Sequence, residues 1–196
     1  MPAVTAISRV GRDRVAVDVD GRRWRVVPRE VAAVVGLAVG VELDRPLLRA
    51  LGRELRRTRA LGTAVAVLRA RDHTRASLDR RLDLRGVAPA ARREALATLG
   101  RAGLVDDERF ALGRATALAG RGAGDLLIAD DLARHGLPVE LVESALASLE
   151  PEPDRARRLV DALGGTPRTL RRLARKGFRA ETLEAVVADG GADAVG

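Results

Sequence analysis

The chain has no cysteine and no tyrosine. The first absence excludes disulfides, thiolate metal sites and a cysteine nucleophile, and it fits a reducing compartment. Three rings, Trp24, Phe110 and Phe178, are the whole aromatic set. A core must therefore be built from Leu, Val and Ala, which favours closely packed helices over a β-sandwich. Histidine is limited to His73 and His135, far apart and without metal-ligand spacing. His135 precedes a glycine where a helix should end, so it reads as a cap, and His73 reads as a surface residue before the cap at Thr74. Gly120-Arg-Gly-Ala-Gly124 lacks the Gly-Lys-Ser/Thr ending of a phosphate loop and reads as a linker. No catalytic, metal or cofactor site is expected. No apolar run reaches the roughly 18 residues that span a bilayer; Val31–Val41 is too short. The opening MPAVTAISRVGRD has no signal-peptide layout. A cytoplasmic protein with no membrane partner is the expectation.

What is abundant is arginine. The net charge is +8 and the isoelectric point about 11.3, which points to a polyanionic partner or an acidic protein surface. Of 35 basic residues 34 are Arg, as a compositional bias of the whole sequence would give. The distribution says more than the total. Residues 1–50 are net +3, 51–105 net +8, 106–150 net −5 and 151–196 net +2. A uniform clamp on nucleic acid would not have an acidic middle.

The N-terminus reads as β-structure. A strand over Val4–Val10 ends at Gly11, and Val15, Val17 and Val19 alternate with Ala16 and Asp18. Asp20-Gly21 is a favoured two-residue hairpin turn, since both positions tolerate positive φ. Trp24, Val26 and Pro28 then alternate with Arg23, Arg25 and Val27. Such a meander needs a cover; a short helix over Arg29–Val35 and a long one after it can supply it. The long helix opens at Asp44 as N-cap, with Pro46 in its first turn. Leu47, Leu48, Leu51 and Leu55 make one face, with Arg53, Arg56, Arg57 and Arg59 crowding the other. The run can continue through Leu61 into the next helix, with Gly62 as its weak point.

From residue 63 the patterns are helical and they repeat. Leu82-Asp-Leu-Arg85-Gly86-Val87, Leu132-Ala-Arg-His135-Gly136-Leu137 and Leu173-Ala-Arg-Lys176-Gly177-Phe178 align, and so do the following stretches, with Leu96, Leu146 and Val187 equivalent. In each copy a helix should end at a glycine in the left-handed C′ conformation, with the next apolar residue folding back. The preceding basic residue suits the negative end of the helix dipole. Helices should start at Thr74, Gly124 and Thr166, and again near Pro89, Pro138 and Arg179. A leading helix precedes each pair: Thr63–Arg71, Asp107–Ala119 and Asp154–Leu163. The expected organisation is mainly α: a small β-hairpin-containing domain (1–43), a connecting helix (44–62), and three tandem three-helix repeats (63–105, 106–150, 151–196) in an elongated, curved array.

These residues resemble the RecX family of RecA regulators. The stretch Thr74–Gly86, the link Gly103-Leu-Val-Asp-Asp-Glu-Arg-Phe-Ala111, and Arg171–Phe178 carry the resemblance, which covers roughly 60–190. The link is its most specific part. Leu104 and Val105 should close one module's core, Asp106 or Asp107 cap the next helix, and Phe110 insert into the following module. Gly86, Leu104, Asp107, Phe110, Gly136, Gly177 and Phe178 are thus read as structural signature residues. The chain departs from the family at Ser77, where Glu is usual, and around Asp125, Asp130 and Asp131, where basic residues are. The resemblance implies a monomeric, non-enzymatic protein that binds the RecA filament on single-stranded DNA and mainly inhibits it, in recombination and the DNA-damage (SOS) response.

The basic residues are the candidate contacts. Arg71, Arg75, Arg81 and Arg85 cluster in the first copy, with Arg69 and Arg80 nearby; Arg168, Arg171, Arg172, Arg175 and Lys176 cluster in the third. Arg168, Arg171, Arg172 and Arg175 fall at i, i+3, i+4 and i+7, one helical stripe. Three readings stay open: contacts to acidic RecA surfaces and single-stranded DNA phosphates, a helical DNA-binding regulator acting directly on nucleic acid, or a solvated outer face. The scarcity of stacking aromatics argues against a dedicated single-strand binder.

Overall fold

The computed structural model describes residues 1–192, so the last four residues of the third expected repeat lie outside it. Three strands, β1 (Val4–Val10), β2 (Arg14–Val19) and β3 (Arg22–Pro28), form an antiparallel sheet in the order β1-β2-β3. Ten helices follow among the described residues. They are α1 (Arg29–Val34), α2 (Arg45–Leu68), α3 (Arg75–Asp83), α4 (Pro89–Arg101) and α5 (Asp107–Gly120), then α6 (Asp125–Arg134), α7 (Val139–Ala147), α8 (Glu152–Leu163), α9 (Pro167–Arg175) and α10 (Ala180–Ala192). The protein is thus mainly helical with an N-terminal three-stranded sheet. Among the described residues no helix is long and apolar enough to cross a membrane. The chain divides into two compact units: Met1–Arg71 with Leu78–Ala102, and Asp72–Ser77 with the chain from Gly103 onward.

In the first unit one face of the sheet packs against the helices. Val15, Val17 and Val27 pack with Val31, Ala32, Leu37 and Leu43, and with Leu51 of α2. Asp20-Gly21 makes the turn as expected, with Asp20 itself at φ 49°. Of the two alternating sets on β3, the buried one holds Val27, while Trp24 is exposed. Asp44 caps α2, accepting the Leu47 N–H at 2.7 Å. The helix then runs unbroken through Gly62, so no separate helix begins at Thr63. The sheet's core also reaches past residue 43 into α2, because the strands need Leu47, Leu51 and Leu55 as cover. Farther along, Ala60 of α2 meets Ala91 and Ala95 of α4; small residues there let the two helices approach closely.

In the second unit two triplets have their own cores. Ala111, Ala115, Ile128, Leu132, Val142 and Ala145 join α5, α6 and α7. Ala156, Leu173, Phe178, Leu183 and Val186 join α8, α9 and α10. Helix starts fall where the caps place them: α5 on Asp106, whose carboxylate accepts the Arg109 N–H, and α9 on Thr166, whose hydroxyl accepts that of Thr169. The α8 helix begins at Glu152 rather than Asp154, Pro153 being tolerated in its first turn.

The three aligned glycines share one geometry. Gly86, Gly136 and Gly177 take φ of 70°, 79° and 84°. Behind them the N–H groups of Val87, Leu137 and Phe178 donate to the carbonyls of Leu82, Leu132 and Leu173. These are the Schellman bonds that satisfy a helix's last carbonyls.

Candidate interaction surface

The N-terminal turn of α3 is held from outside its own helix. Thr74 is fully buried; its Oγ1 accepts the Ser77 N–H at 3.0 Å and donates to the His135 carbonyl at 2.6 Å. The Arg75 N–H donates to Asp107 Oδ1 at 2.7 Å. The C-terminal end of α6 therefore meets the N-terminal end of α3, and opposite ends of two helix dipoles adjoin. His135 lies in this joint, its ring edge-on to Phe110 with centroids 5.1 Å apart. Of the two link aspartates, Asp106 caps α5 and Asp107 serves α3.

A second joint has the same polarity. The N-terminus of α6 has a glycine, Gly124, where a side-chain cap would stand. Its free N–H groups go elsewhere: Gly124 to the Lys176 carbonyl at 2.9 Å, Leu126 to the Gly177 carbonyl at 3.0 Å, and Asp125 to Glu152 Oε1 at 2.6 Å. Glu152 is only 6% exposed, and its other oxygen accepts from the Arg179 N–H and the Thr182 hydroxyl at the start of α10. Arg155, 4% exposed, donates to the carbonyls of Glu150 and Ala123 and pairs with Asp125. Burying these charges is tolerable only because each is paired and hydrogen-bonded; among the described residues no buried side-chain polar atom lacks a partner. Sequence reasoning missed Glu152 and Arg155, whose roles depend on groups about 30 residues away; the glycine at a helix start was the one available signal.

The candidate cations fall into different situations. On α9, Arg168, Arg171, Arg172 and Arg175 are all exposed, while Thr169 and Leu173 are buried and Leu170 is half-buried. None of the four has an ion pair among the described residues. Lys176 is different: its Nζ donates to the Arg121 carbonyl at 2.7 Å, so it serves the joint. Arg71 and Arg75 are exposed; Arg81 is half-buried, and Arg85 reaches back to the Arg81 carbonyl at 3.3 Å. Arg71, Arg81 and Arg85 belong to the first unit, Arg75 and the α9 set to the second.

Two expectations are corrected. Leu104 is 55% exposed and does not close a core; Val105, at 7%, does. His73 is buried rather than on the surface, with Nδ1 3.0 Å from Ser77 Oγ, because it is drawn in beside the Thr74 joint. Among the described residues no group of three His, Asp or Glu is arranged to hold a metal ion.

The acidic middle segment is largely answered internally. Asp125 pairs with Arg155, Asp130 with Arg134, and Asp131 with Arg114 through two bonds of 2.7 and 2.9 Å. The Arg114 hydrogen bonds, with the nearby charges of Arg114, His135 and Arg134, hold the Asp131 carboxyl below the usual carboxylate range.

No protein-family model matches the chain. The Regulatory protein RecX of Xanthomonas axonopodis pv. citri (strain 306) is 35% identical over 144 residues, covering 68% of this chain and 89% of that protein. The Regulatory protein RecX of Stenotrophomonas maltophilia (strain R551-3) is 34% identical over 135 residues, 64% of this chain and 80% of its own. A crystal structure of regulatory protein RecX matches the fold with TM-score 0.81 at 19% identity, covering 96% of this chain and all of that one. RecX from Lactobacillus salivarius matches with TM-score 0.60 at 15% identity, over 68% of this chain and 96% of its own. The link motif, the glycine caps and these similarities agree: the chain belongs to the RecX family of regulatory proteins.

Proposed function

We propose that this protein binds the RecA filament and mainly inhibits it, acting in the cytoplasm as a monomer in recombination and the DNA-damage response. The reading assigns it no chemistry of its own. Its working part is three three-helix repeats, with α3, α6 and α9 as their middle helices; the C-terminal half of α2 leads the first. A small sheet domain over 1–43 and the first half of α2 precede them. A repeat array suits a long partner because each module adds contact surface of the same kind.

The observation that carries the reading is the α9 stripe. Four exposed guanidinium groups on one helix face, with no carboxylate paired to them among the described residues, suit an acidic protein surface or phosphate oxygens. Arg71, Arg75, Arg81 and Arg85 are the second candidate patch.

The test is RecA ATPase on single-stranded DNA, with the protein added well below one per RecA. Inhibition is expected, and its absence would sink the proposal. Arg172→Glu with Arg175→Glu should weaken inhibition while circular dichroism stays unchanged. Strong duplex binding without any effect on RecA would favour a regulator acting directly on DNA.

A further inference from the structure

The second unit carries an open groove of about 520 Å³ between α5 and α7. On α7, Leu141, Ser144, Ala145 and Ser148 line it at i, i+3, i+4 and i+7, one helical face. On α5, Glu108, Ala111 and Leu112 line it at i, i+3 and i+4. Ala111 and Ala145 are buried and make a shallow floor, while Leu112 stands 47% exposed on the wall. A smaller hollow of about 210 Å³ adjoins it, lined by Asp72, Leu104 and Phe110 among others. The two hollows share Asp106 and Arg109, so they form one strip along the start of α5. A lone exposed leucine is ordinary, but Leu104 and Leu112 both border this strip, and a continuous apolar surface marks a contact.

The charge on the strip is opposite to that of the chain. Asp72, Asp106 and Glu108 line it against the single guanidinium of Arg109. Arg109 is committed: it pairs with Asp106 at 3.7 Å and donates to the Gly103 carbonyl at 3.0 Å. Asp72 and Glu108 are exposed and have no ion pair among the described residues. In a chain of net charge +8, an apolar strip edged by free carboxylates is complementary to a partner that is both apolar and cationic. It would repel phosphates.

We propose that the α5–α7 groove docks a short basic amphipathic helix of another protein, its apolar stripe laid between Leu112 and Leu141 and its Lys or Arg side chains meeting Glu108 and Asp72. The groove between two packed helices accepts the side-chain ridge of a third, and small residues on its floor let that ridge approach. A second copy of this chain fits less well. The basic helix that it exposes, α9, already buries its apolar side through Thr169 and Leu173. The groove shares no residue with the α9 stripe and needs no RecA, so it stands apart from the proposed function.

The full chain would be titrated into a fluorescein-labelled peptide of about 14 residues, roughly four helical turns, with Leu at i, i+3, i+4 and i+7 spacing and Lys elsewhere. The same peptide with Glu for Lys is the control. Anisotropy of the Lys peptide should saturate at one peptide per chain, and hydrogen-exchange protection should centre on α5 and α7. General attraction to a chain of net charge +8 would favour the Glu peptide instead, so a preference for Lys reports the local strip. Glu108→Lys and Leu112→Ala, both at exposed positions, should each weaken binding, and together by about tenfold or more, with circular dichroism unchanged. No saturable binding of the Lys peptide, tighter binding of the Glu peptide, protection centred elsewhere, or undiminished affinity in the double variant would overturn the proposal. So would a concentration-dependent dimer that Glu108→Lys dissolves, which would give the groove to a second copy. RecA is absent from every arm, so failure here leaves the proposed function standing.

Discussion

At the scale of single residues, the glycines differ in a way that the sequence hides. Gly86, Gly136 and Gly177 align and share a left-handed φ, yet their surroundings are unlike. A Cβ on Gly86 would meet nothing within 4 Å, whereas on Gly177 it would lie 2.5 Å from the Leu127 amide nitrogen. Gly86→Ala should therefore cost only the conformational penalty, about 1–2 kcal/mol. Gly177→Ala adds a clash with backbone that cannot step aside, so it should be markedly more destabilising in urea titrations. Equal costs would contradict the close approach of α9 to α6.

Asp131 gives a second test at this scale. Its carboxyl is held low by Arg114, so the folded state prefers the ionised form. The resulting stability is present above the ordinary carboxylate pKa and is lost as pH falls through the lowered folded value. Urea midpoints measured from pH 6 down to pH 3 should fall less steeply in Asp131→Asn than in the native chain. Parallel profiles would show that the pair contributes nothing.

At the scale of elements, one side chain closes two helix starts. Glu152 accepts from the Asp125 N–H of α6 and from the Arg179 N–H and Thr182 hydroxyl at α10. Glu152→Ala leaves these donors without their acceptor, at about 1–3 kcal/mol for the buried Thr182 hydroxyl and less for the two part-buried N–H groups. Hydrogen exchange should then speed up at both starts together; faster exchange at one alone would deny the shared cap. The helices themselves were legible in advance, since Asp44, Asp106, Thr166 and the C′ glycines act through neighbours within a turn. So was the link, apart from Leu104, whose apolar character did not tell it from Val105. The joints were not legible. Gly124 reads as a linker glycine until the Lys176 carbonyl stands against it, and His73 reads as exposed until Thr74 is seen bound to His135. The sequence left open whether α2 continues past Leu61; it does, since the intrinsic cost of Gly62, about 1 kcal/mol, is small beside the packing on either side of it.

At the scale of the whole molecule, the charge map changes meaning once partners are assigned. Segment 106–150 is net −5 by sequence, but Asp125, Asp130 and Asp131 each face an arginine. The α9 arginines have no such answer among the described residues, so exposed positive charge stands along that helix. If α9 carries contact and the middle copy serves as connector, charge changes should act unequally. Glu140→Lys with Glu143→Lys, two exposed positions on α7, raises the net charge by 4 yet should leave half-inhibition of RecA ATPase within about twofold, the usual scale of a neutral surface change. Arg172→Glu with Arg175→Glu changes the charge by the same amount in the other direction and should weaken inhibition well beyond that. A general attraction between a basic protein and a polyanion would instead make the first variant the stronger inhibitor. The salt dependence of binding to the RecA–DNA complex then tells which group the arginines meet. If Arg172 and Arg175 each neutralise a phosphate, reversing both should lower the log–log slope by roughly 1.4–1.8. Carboxylates on a protein surface hold no condensed counterions to release, so if the arginines meet those, the affinity should fall with the slope nearly unchanged.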